Sequence, residues 1–247
     1  MKRHPITQMF ITLFLLTLAG GSWADSHKKN SDDDAKKVAK VAPPMIYIPP
    51  KRDAPRTRVG GATRGAGVQA PTIDVIAPES VGLTLTGDPV LYWFLPEIND
   101  NKVGLRVSSS QSDEPLLKAA LPTPKTAGIQ RVRLADHGLT LQNDVDYHWF
   151  IAIPGDVEAH ERDQFAGGGI IRIDAPIDLA AKLDAAGNNR ANVLADAGIW
   201  YDTIDALSQQ IDADPKNAEL VRARAELLTQ VGLDKAAEFE RARADKI

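Results

Sequence analysis

Residues 170–183 read IIRIDAPIDLAAKL, and the spacing of the apolar side chains changes at Pro176. Before this proline, several short segments alternate apolar and polar residues, which is the period of a half-buried strand. After it, apolar residues recur every three or four positions from Leu179 onward, which is the period of an amphipathic helix. The change predicts an α+β fold, with strands in residues 46–175 and helices in residues 176–247.

Eight short segments between residues 72 and 174 have the length and composition of strands. The longest alternating run extends from Val145 to Ile153, and the densest apolar segment is Val90 to Leu95. Residues typical of turns separate the segments, and the pattern predicts an antiparallel β-sandwich with Trp93 and Trp149 in its core. The other segments are Ile73–Ile76, Val81–Leu85, Val103–Val107, Gln130–Leu134, Leu139–Leu141 and Ile170–Ile173.

The helical region carries an offset that is typical of a tetratricopeptide (TPR) repeat. Gly198 and Gly232 lie 34 positions apart, and Pro215 follows Gly198 by 17 positions. Thr203 stands where that repeat has a small residue, and the region holds fewer repeats than the roughly three that such an array needs. We therefore expect TPR-like helices that dock on the β-domain rather than a free solenoid.

The N-terminus has the three parts of a secretory signal peptide. Lys2 and Arg3 form the basic part, Met9–Ala19 is an apolar run of 11 residues, and small residues precede a cleavage point after Ala24. The apolar run is shorter than the roughly 20 residues that span a bilayer. We therefore expect residues 1–24 to be removed and the mature protein to be periplasmic, without integral membrane insertion. An uncleaved anchor is the alternative.

A charged linker and a basic arm follow the signal peptide. Residues 25–45 are rich in Lys and Asp, so we expect them to form a flexible linker. Residues 46–67 combine prolines and glycines with five cations, and Ala66 stands where a phosphate-binding loop requires lysine. The arm could bind a phosphate, a lipid headgroup or an acidic protein, although we favour a solvated extended segment. The candidate anion-binding or partner-binding residues are Lys51, Arg52, Arg56, Arg58 and Arg64.

Composition excludes several kinds of chemistry. The 247 residues contain no cysteine, so disulfides, thiolate nucleophiles and cysteine-ligated zinc are excluded. The net charge of −4 becomes −6 when residues 1–24, with Lys2 and Arg3 and no acid, are removed. A mildly acidic chain has no general attraction for nucleic acid. No Gly-x-Ser-x-Gly motif occurs, and the Ser-x-x-Lys sequence at Ser26–Lys29 lies in the charged linker rather than in the body of the chain. We expect a protein that is not an enzyme and has no cofactor.

Three histidines lie in the body of the chain, and none has the neighbours of a catalytic site. His137 precedes a turn glycine, and His148 alternates with aromatic residues and so points to the opposite sheet face. His160 lies among carboxylates that could hold a hard cation, although a solvated hairpin tip is favoured over a metal site. Those carboxylates are Asp156, Glu158, Glu161 and Asp163.

Trp200 and Tyr201 begin a helix directly after Gly198. The two side chains could form an exposed aromatic patch that binds a partner, because aromatic residues supply much of the binding energy of interfaces. They could instead pack the helices onto the strands, and we favour this alternative.

Several short motifs together resemble the DUF928 family of bacterial proteins. The resemblance covers about residues 45–235, and Ala62 stands where the family pattern has a third glycine. It implies an exported bacterial protein. Because the function of the family is unknown, the resemblance assigns no reaction and no binding residues to this chain. The motifs lie at residues 47–50, 54–56, 59–65, 76–79, 81–84, 88–89, 92–94, 128–129, 147–149 and 198–202.

Three functions remain open at this point. The preferred one is a non-enzymatic periplasmic adaptor or binding module with a protein partner in the cell envelope. The second is an envelope-polymer hydrolase with paired carboxylates as acid and base, since such pairs can lie far apart in sequence. The third is an anion or headgroup sensor that uses the basic arm.

Overall fold

Nine strands, five α-helices and two short 3-10 helices form the regular structure of the described residues. The computed structural model describes residues 44–50, 57–62, 73–98, 100, 102–154 and 163–247, which belong to one unit, Pro43–Ile247. Residues 1–24, the expected signal peptide, and residues 25–43 of the expected linker lie outside them. The strands are β1 (Val59–Ala62), β2 (Asp74–Val75), β3 (Gly82–Thr84), β4 (Val90–Leu95), β5 (Val103–Ser109), β6 (Leu117–Leu121), β7 (Gly128–Arg133), β8 (Asp146–Ile153) and β9 (Gln164–Arg172). The helices are α1 (Ile177–Ala185), α2 (Arg190–Asp196), α3 (Trp200–Ala213), α4 (Ala218–Gln230) and α5 (Asp234–Ala244).

The larger sheet has six strands, in the order β1-β9-β8-β5-β6, with β3 also paired to β9. Its pairings are antiparallel except for β3 with β9, which is parallel. In β8, Tyr147, Trp149 and Ile151 are buried, whereas the residues between them are partly exposed. The alternation in the sequence therefore marks a strand with one face in the core and the other outside it.

The smaller sheet has the order β2-β4-β7, and both of its pairings are antiparallel. All six residues of β4 are buried. On the helix side, the Tyr92 hydroxyl bonds Asp205 of α3, and the Phe94 ring lies 5.5 Å from that of Phe239 on α5. A strand covered on both faces needs apolar residues at every position, which explains the lack of alternation in this segment.

Left-handed glycines and one asparagine set the helix boundaries. Gly198 has φ +74° and Gly232 has φ +69°. Such positive φ values favour glycine, and the two residues follow the ends of α2 and α4. At Gly198 a Cβ atom would also lie 2.7 Å from the carbonyl oxygen of Ile48, so the position is doubly restricted. Asn217 accepts a hydrogen bond of 3.3 Å from the amide of Leu220 and caps the start of α4.

Strands and helices share one main hydrophobic core. Its largest cluster joins Trp93 of β4 and Trp149 of β8 to Trp200 of α3 and Leu227 of α4. A smaller cluster packs α1 and α2 against β3 and β9. The boundary expected near residue 175 therefore separates strands from helices but does not separate two cores.

The α+β class and the antiparallel pairing predicted from the sequence are confirmed, with the β3–β9 pair as the parallel exception. The prediction of a strand at Leu139–Leu141 is wrong, because a 3-10 helix at Leu134–His137 and a left-handed Gly138 occupy this turn. Strands β1 and β6 were not predicted. Among the described residues, no helix has the length and apolar character needed to cross a membrane.

Candidate functional site

A polar groove of about 1020 Å³ runs along β7, beside the connection from β6 and the exposed side of α3. Its lining contains side chains of both charges together with aromatic and amide groups. Those residues include Tyr92, Trp93, Lys125, Gln130, Arg131, Arg133, Asp136, His137, Asp205, Gln209 and Asp212. A groove with many hydrogen-bonding groups suits a polar or peptide-like ligand better than a purely apolar one.

Strand β7 lies at the edge of its sheet, since β4 is its only partner among the described strands. The amide of Ile76 donates to the Tyr92 carbonyl at 2.8 Å, so the backbone polar groups of Tyr92 point toward β2. Those of Trp93 then point toward β7, because successive residues of a strand direct these groups to opposite sides.

The same alternation shows which residues of β7 have unpaired backbone groups. Trp93 lies opposite Gln130, and therefore Gln130 and Val132 form the hydrogen bonds to β4. The bond from the Leu134 amide to the Pro89 carbonyl, at 3.2 Å, continues this register. Ile129 and Arg131 consequently present their amide and carbonyl groups to the open edge. Arg133 presents its amide there, because the carbonyl of this N-cap residue belongs to the first turn of the 3-10 helix.

Hydrogen bonds hold the side chains on the α3 wall of the groove. The Tyr92 hydroxyl donates to Asp205 at 2.8 Å, and the amide of Gln209 donates to the other oxygen of Asp205 at 2.7 Å. Burial and the nearby Asp205 carboxylate raise the pKa of Tyr92 above its usual value, so the hydroxyl stays protonated. Arg131 bonds Asp212, and this contact raises the pKa of the Arg131 guanidinium.

Asp205 and Asp212, the two carboxylates that α3 contributes to the groove, therefore already accept hydrogen bonds from neighbouring side chains. The indole Nε1 of Trp93 is buried and has no partner among the described residues. No cluster of three or more potential metal ligands occurs in the part of the chain that the structure describes. The groove thus combines backbone groups along β7 with polar side chains from β7 and α3.

Asp202 is a half-buried carboxylate beside the groove, and it lines a smaller cavity of about 250 Å³. One of its oxygens accepts a hydrogen bond of 3.1 Å from the amide of Leu85, which connects α3 to the end of β3. Burial raises the pKa of Asp202 above its ordinary value, because desolvation outweighs the hydrogen bonds from Thr84 and Leu85. The free energy of unfolding therefore depends on the protonation of Asp202, and so on pH.

We expect Asp202→Asn to flatten the pH dependence of stability. The folded pKa lies above the unfolded value of about 3.9, so the folded state binds more protons between the two values. The stabilisation from this group is complete below the unfolded pKa and is lost as the pH rises through the folded pKa. Urea unfolding from about pH 3 to about pH 7 should show the wild type losing stability relative to the variant. A pH-independent difference, equal to that of the exposed control Asp184→Asn, would contradict the assignment.

Of the five basic residues expected to bind an anion, Arg58 is the one that the structure describes. Arg58 donates to the carbonyl oxygens of Ala77 at 3.0 Å and Val231 at 2.6 Å, and lies 3.9 Å from Glu79. Its guanidinium therefore connects the strand region to the end of α4. The other four candidates, Lys51, Arg52, Arg56 and Arg64, lie outside the described residues.

Trp200 and Tyr201 lie in the core, so the expectation of an exposed aromatic patch is corrected. Both side chains are at most 2% exposed. The indole of Trp200 donates to the carbonyl of Ile76 at 2.9 Å. The hydroxyl of Tyr201 donates to the carbonyl of Gly169 and accepts from the Trp149 indole, both at 2.9 Å. Trp200 and Tyr201 instead pack the helices onto the strands, which was the favoured alternative.

The histidines take different positions. His137 lines the groove, and His148 is half-buried on the outward face of β8. His160 lies outside the described residues, as does the acidic cluster around it except for Asp163. The sequence did not indicate Tyr92, Arg131 or Asp212, because their partners lie on distant segments.

Together, the fold and the groove define an α+β protein with a polar groove beside an unpaired strand edge. The family described as "Domain of Unknown Function (DUF928)" has a model that matches residues 59–240. The match covers most of the chain, and the chain belongs to this family, as the motifs indicated. Among curated proteins, none matches the chain.

Proposed function

We propose that the protein is an exported, non-enzymatic binding module or adaptor of the cell envelope that holds an extended segment of a protein partner along β7. The observation that carries this proposal is the unpaired edge of β7 inside the groove. An extended peptide can add to such an edge as a further strand, with main-chain hydrogen bonds that give affinity. The signal-like N-terminus and charged linker support a periplasmic location.

The unpaired groups and the groove walls match the needs of such a segment. Ile129 and Arg131 each offer a donor and an acceptor, and Arg133 offers a donor, at the two-residue repeat of an added strand. Lys125 and Asp136 supply charges of both signs at the groove. A segment with mixed charges therefore finds both partners there, and specificity comes from its alternate side chains.

The finer architecture is part of the same proposal. We propose that the two sheets pack face to face as a sandwich, supported by the shared cluster of Trp93 and Trp149. The positive φ of Gly198 and Gly232 at equivalent positions supports a TPR-like arrangement of α2 to α5. Both features would hold β7 rigidly enough to accept a partner.

The two alternative functions receive less support from the site. A hydrolase needs one carboxylic acid and one free carboxylate flanking the bond that breaks. Asp205 and Asp212 are instead bound to Tyr92 and Arg131. An anion sensor would need the basic arm, and its described member Arg58 is bound to backbone carbonyls.

The backbone of Arg133 offers a direct test of the strand edge. Arg133 has φ −93° and ψ 130°, a conformation near that of proline, and its exposed side chain lies 3.5 Å from Asp88. Arg133→Pro removes the edge amide, whereas the matched control Arg133→Ala removes only the side chain. We expect peptides selected by the wild type from a random 12-residue display library to bind Arg133→Pro at least about tenfold more weakly. Arg133→Ala should bind almost normally by calorimetry.

Hydrogen exchange provides an independent readout. The amides of Ile129 and Arg131 should exchange faster than those of Gln130 and Val132 in the free protein, and should become protected by a selected peptide. Slow exchange at all four amides in the free protein would show that the edge is already covered. Equal peptide affinity of Arg133→Pro and Arg133→Ala would also contradict the proposal.

A further inference from the structure

The outward face of the larger sheet contains a strip without large side chains. Gly104 of β5 lies opposite Ala120 of β6 on one side and Ala152 of β8 on the other. Ala152 in turn lies opposite Phe165 of β9, which is 40% exposed. The strip therefore crosses three strands as a flat, shallow channel and ends at an aromatic ring.

A second aromatic ring lies beside this strip. Phe150 of β8 lies opposite Gly167, and a Cβ atom at Gly167 would come within 2.3 Å of the Phe150 ring. The ring thus lies over Gly167 of β9 and is half-buried. Phe150, Phe165 and Pro154 line the same cavity of about 800 Å³.

The fold does not require glycine at position 104. A Cβ atom there would meet nothing closer than the Ala152 carbonyl oxygen at 3.7 Å, an ordinary contact. Glycine within a strand lowers stability, and it often marks a site where a ligand approaches the backbone closely. Packing explains Gly167, whereas a ligand on the outer face would explain Gly104.

Among the residues with described side chains, the charges that line the strip are positive. Lys102, Arg106 and Lys118 line the cavity, and no Asp or Glu does so among the residues with described side chains. Arg106 lies between Lys118 and Phe150 in one row across the sheet. The surface thus combines flat apolar rings with positive charge in a protein whose net charge is −4.

We propose that this face binds an acidic polysaccharide, with sugar rings on Phe150 and Phe165 and carboxylates beside Arg106 and Lys118. The flat C–H faces of sugar rings fit aromatic faces and a strip without side chains, and the cations attract the acidic groups. A second copy of the chain would bring the same cations together, which is unfavourable. The site is separate from the groove along β7.

The test uses the full chain and an oligogalacturonate of about ten sugars as the probe, with titration calorimetry at low salt. Gly104→Val fills the strip with a residue that strands favour. We expect its melting temperature to be unchanged or higher and its affinity for the probe to fall at least about tenfold. Lys118→Gln should weaken binding and reduce its salt dependence, whereas the matched control Lys216→Gln, at an exposed site on another surface, should not. Arg133→Pro should leave this binding unchanged.

Several outcomes would overturn the proposal. The first is no binding by the wild type at about 1 mM probe. The second is equal binding of a neutral cello-oligosaccharide, which would exclude the role of charge. The third is stronger binding of polyglutamate or of single-stranded oligothymidylate, which would assign the face to another class of polyanion. Unchanged affinity of a folded Gly104→Val variant would also overturn it.

Discussion

Replacing Trp149 by Ala should lower the free energy of unfolding by about 3–5 kcal/mol. Trp149 is 0% exposed and lies in the middle of β8, between β5 and β9. Its removal leaves a large cavity in the core and takes the hydrogen-bond donor from the Tyr201 hydroxyl, 2.9 Å away. The loss therefore weakens both the sheet and the docking of α3.

Chemical denaturation of the variant, analysed at constant m-value, measures this loss. The matched control is His148→Ala, because His148 is the neighbouring residue of β8 on the outward face. We expect the control to change the free energy of unfolding by less than about 1 kcal/mol. If the two variants lose equal stability, Trp149 does not anchor the core.

The second large effect concerns a buried ion pair that joins three helices. Arg224 of α4 donates to Glu240 of α5 at 2.9 Å and 2.6 Å, and to the Ser208 hydroxyl of α3 at 3.0 Å. Glu240 is 1% exposed. Glu240→Gln should lower the free energy of unfolding by about 3–5 kcal/mol, because it leaves the Arg224 charge buried without its counterion.

Two variants separate this effect from a general loss of packing. Glu226→Gln removes the exposed pair with Arg241, at 3.4 Å, and should change stability by less than about 1 kcal/mol. The double variant Arg224→Met with Glu240→Leu replaces the pair by apolar groups and should recover most of the loss. If the double variant is less stable than Glu240→Gln, shape rather than unpaired charge explains the loss. Thermal and urea unfolding measure all three.

The sequence predicted the elements whose pattern is local. The run from Val145 to Ile153 alternates strictly, and it forms β8 with one buried face. The glycines at positions 198 and 232 end helices with positive φ, as their spacing indicated. Strand β6 was missed because its sequence, LKAAL, resembles a helix segment and its exposed residues carry no strand signal.

The groove could not be predicted, since its parts are far apart in the chain. Tyr92 lies in an apolar run, and nothing there shows that its hydroxyl meets Asp205 across 113 positions. Asp202 and Asp205 lie three residues apart on α3, a local pattern that places two carboxylates on one helix face, but of the two Asp205 alone lines the groove. The open edge of β7 follows from the order of strands, which periodicity does not specify.

Local patterns alone were enough to define the α+β class, the change of period at Pro176 and the family. These properties depend on which residues follow one another and on backbone preferences that act over a few positions. The burial of Trp200 and Tyr201, the role of Arg58 and the edge position of β7 were decided by packing. The reason is that burial and hydrogen bonding depend on which distant segments meet, and one face of a helix can equally contact solvent, a partner or its own sheet.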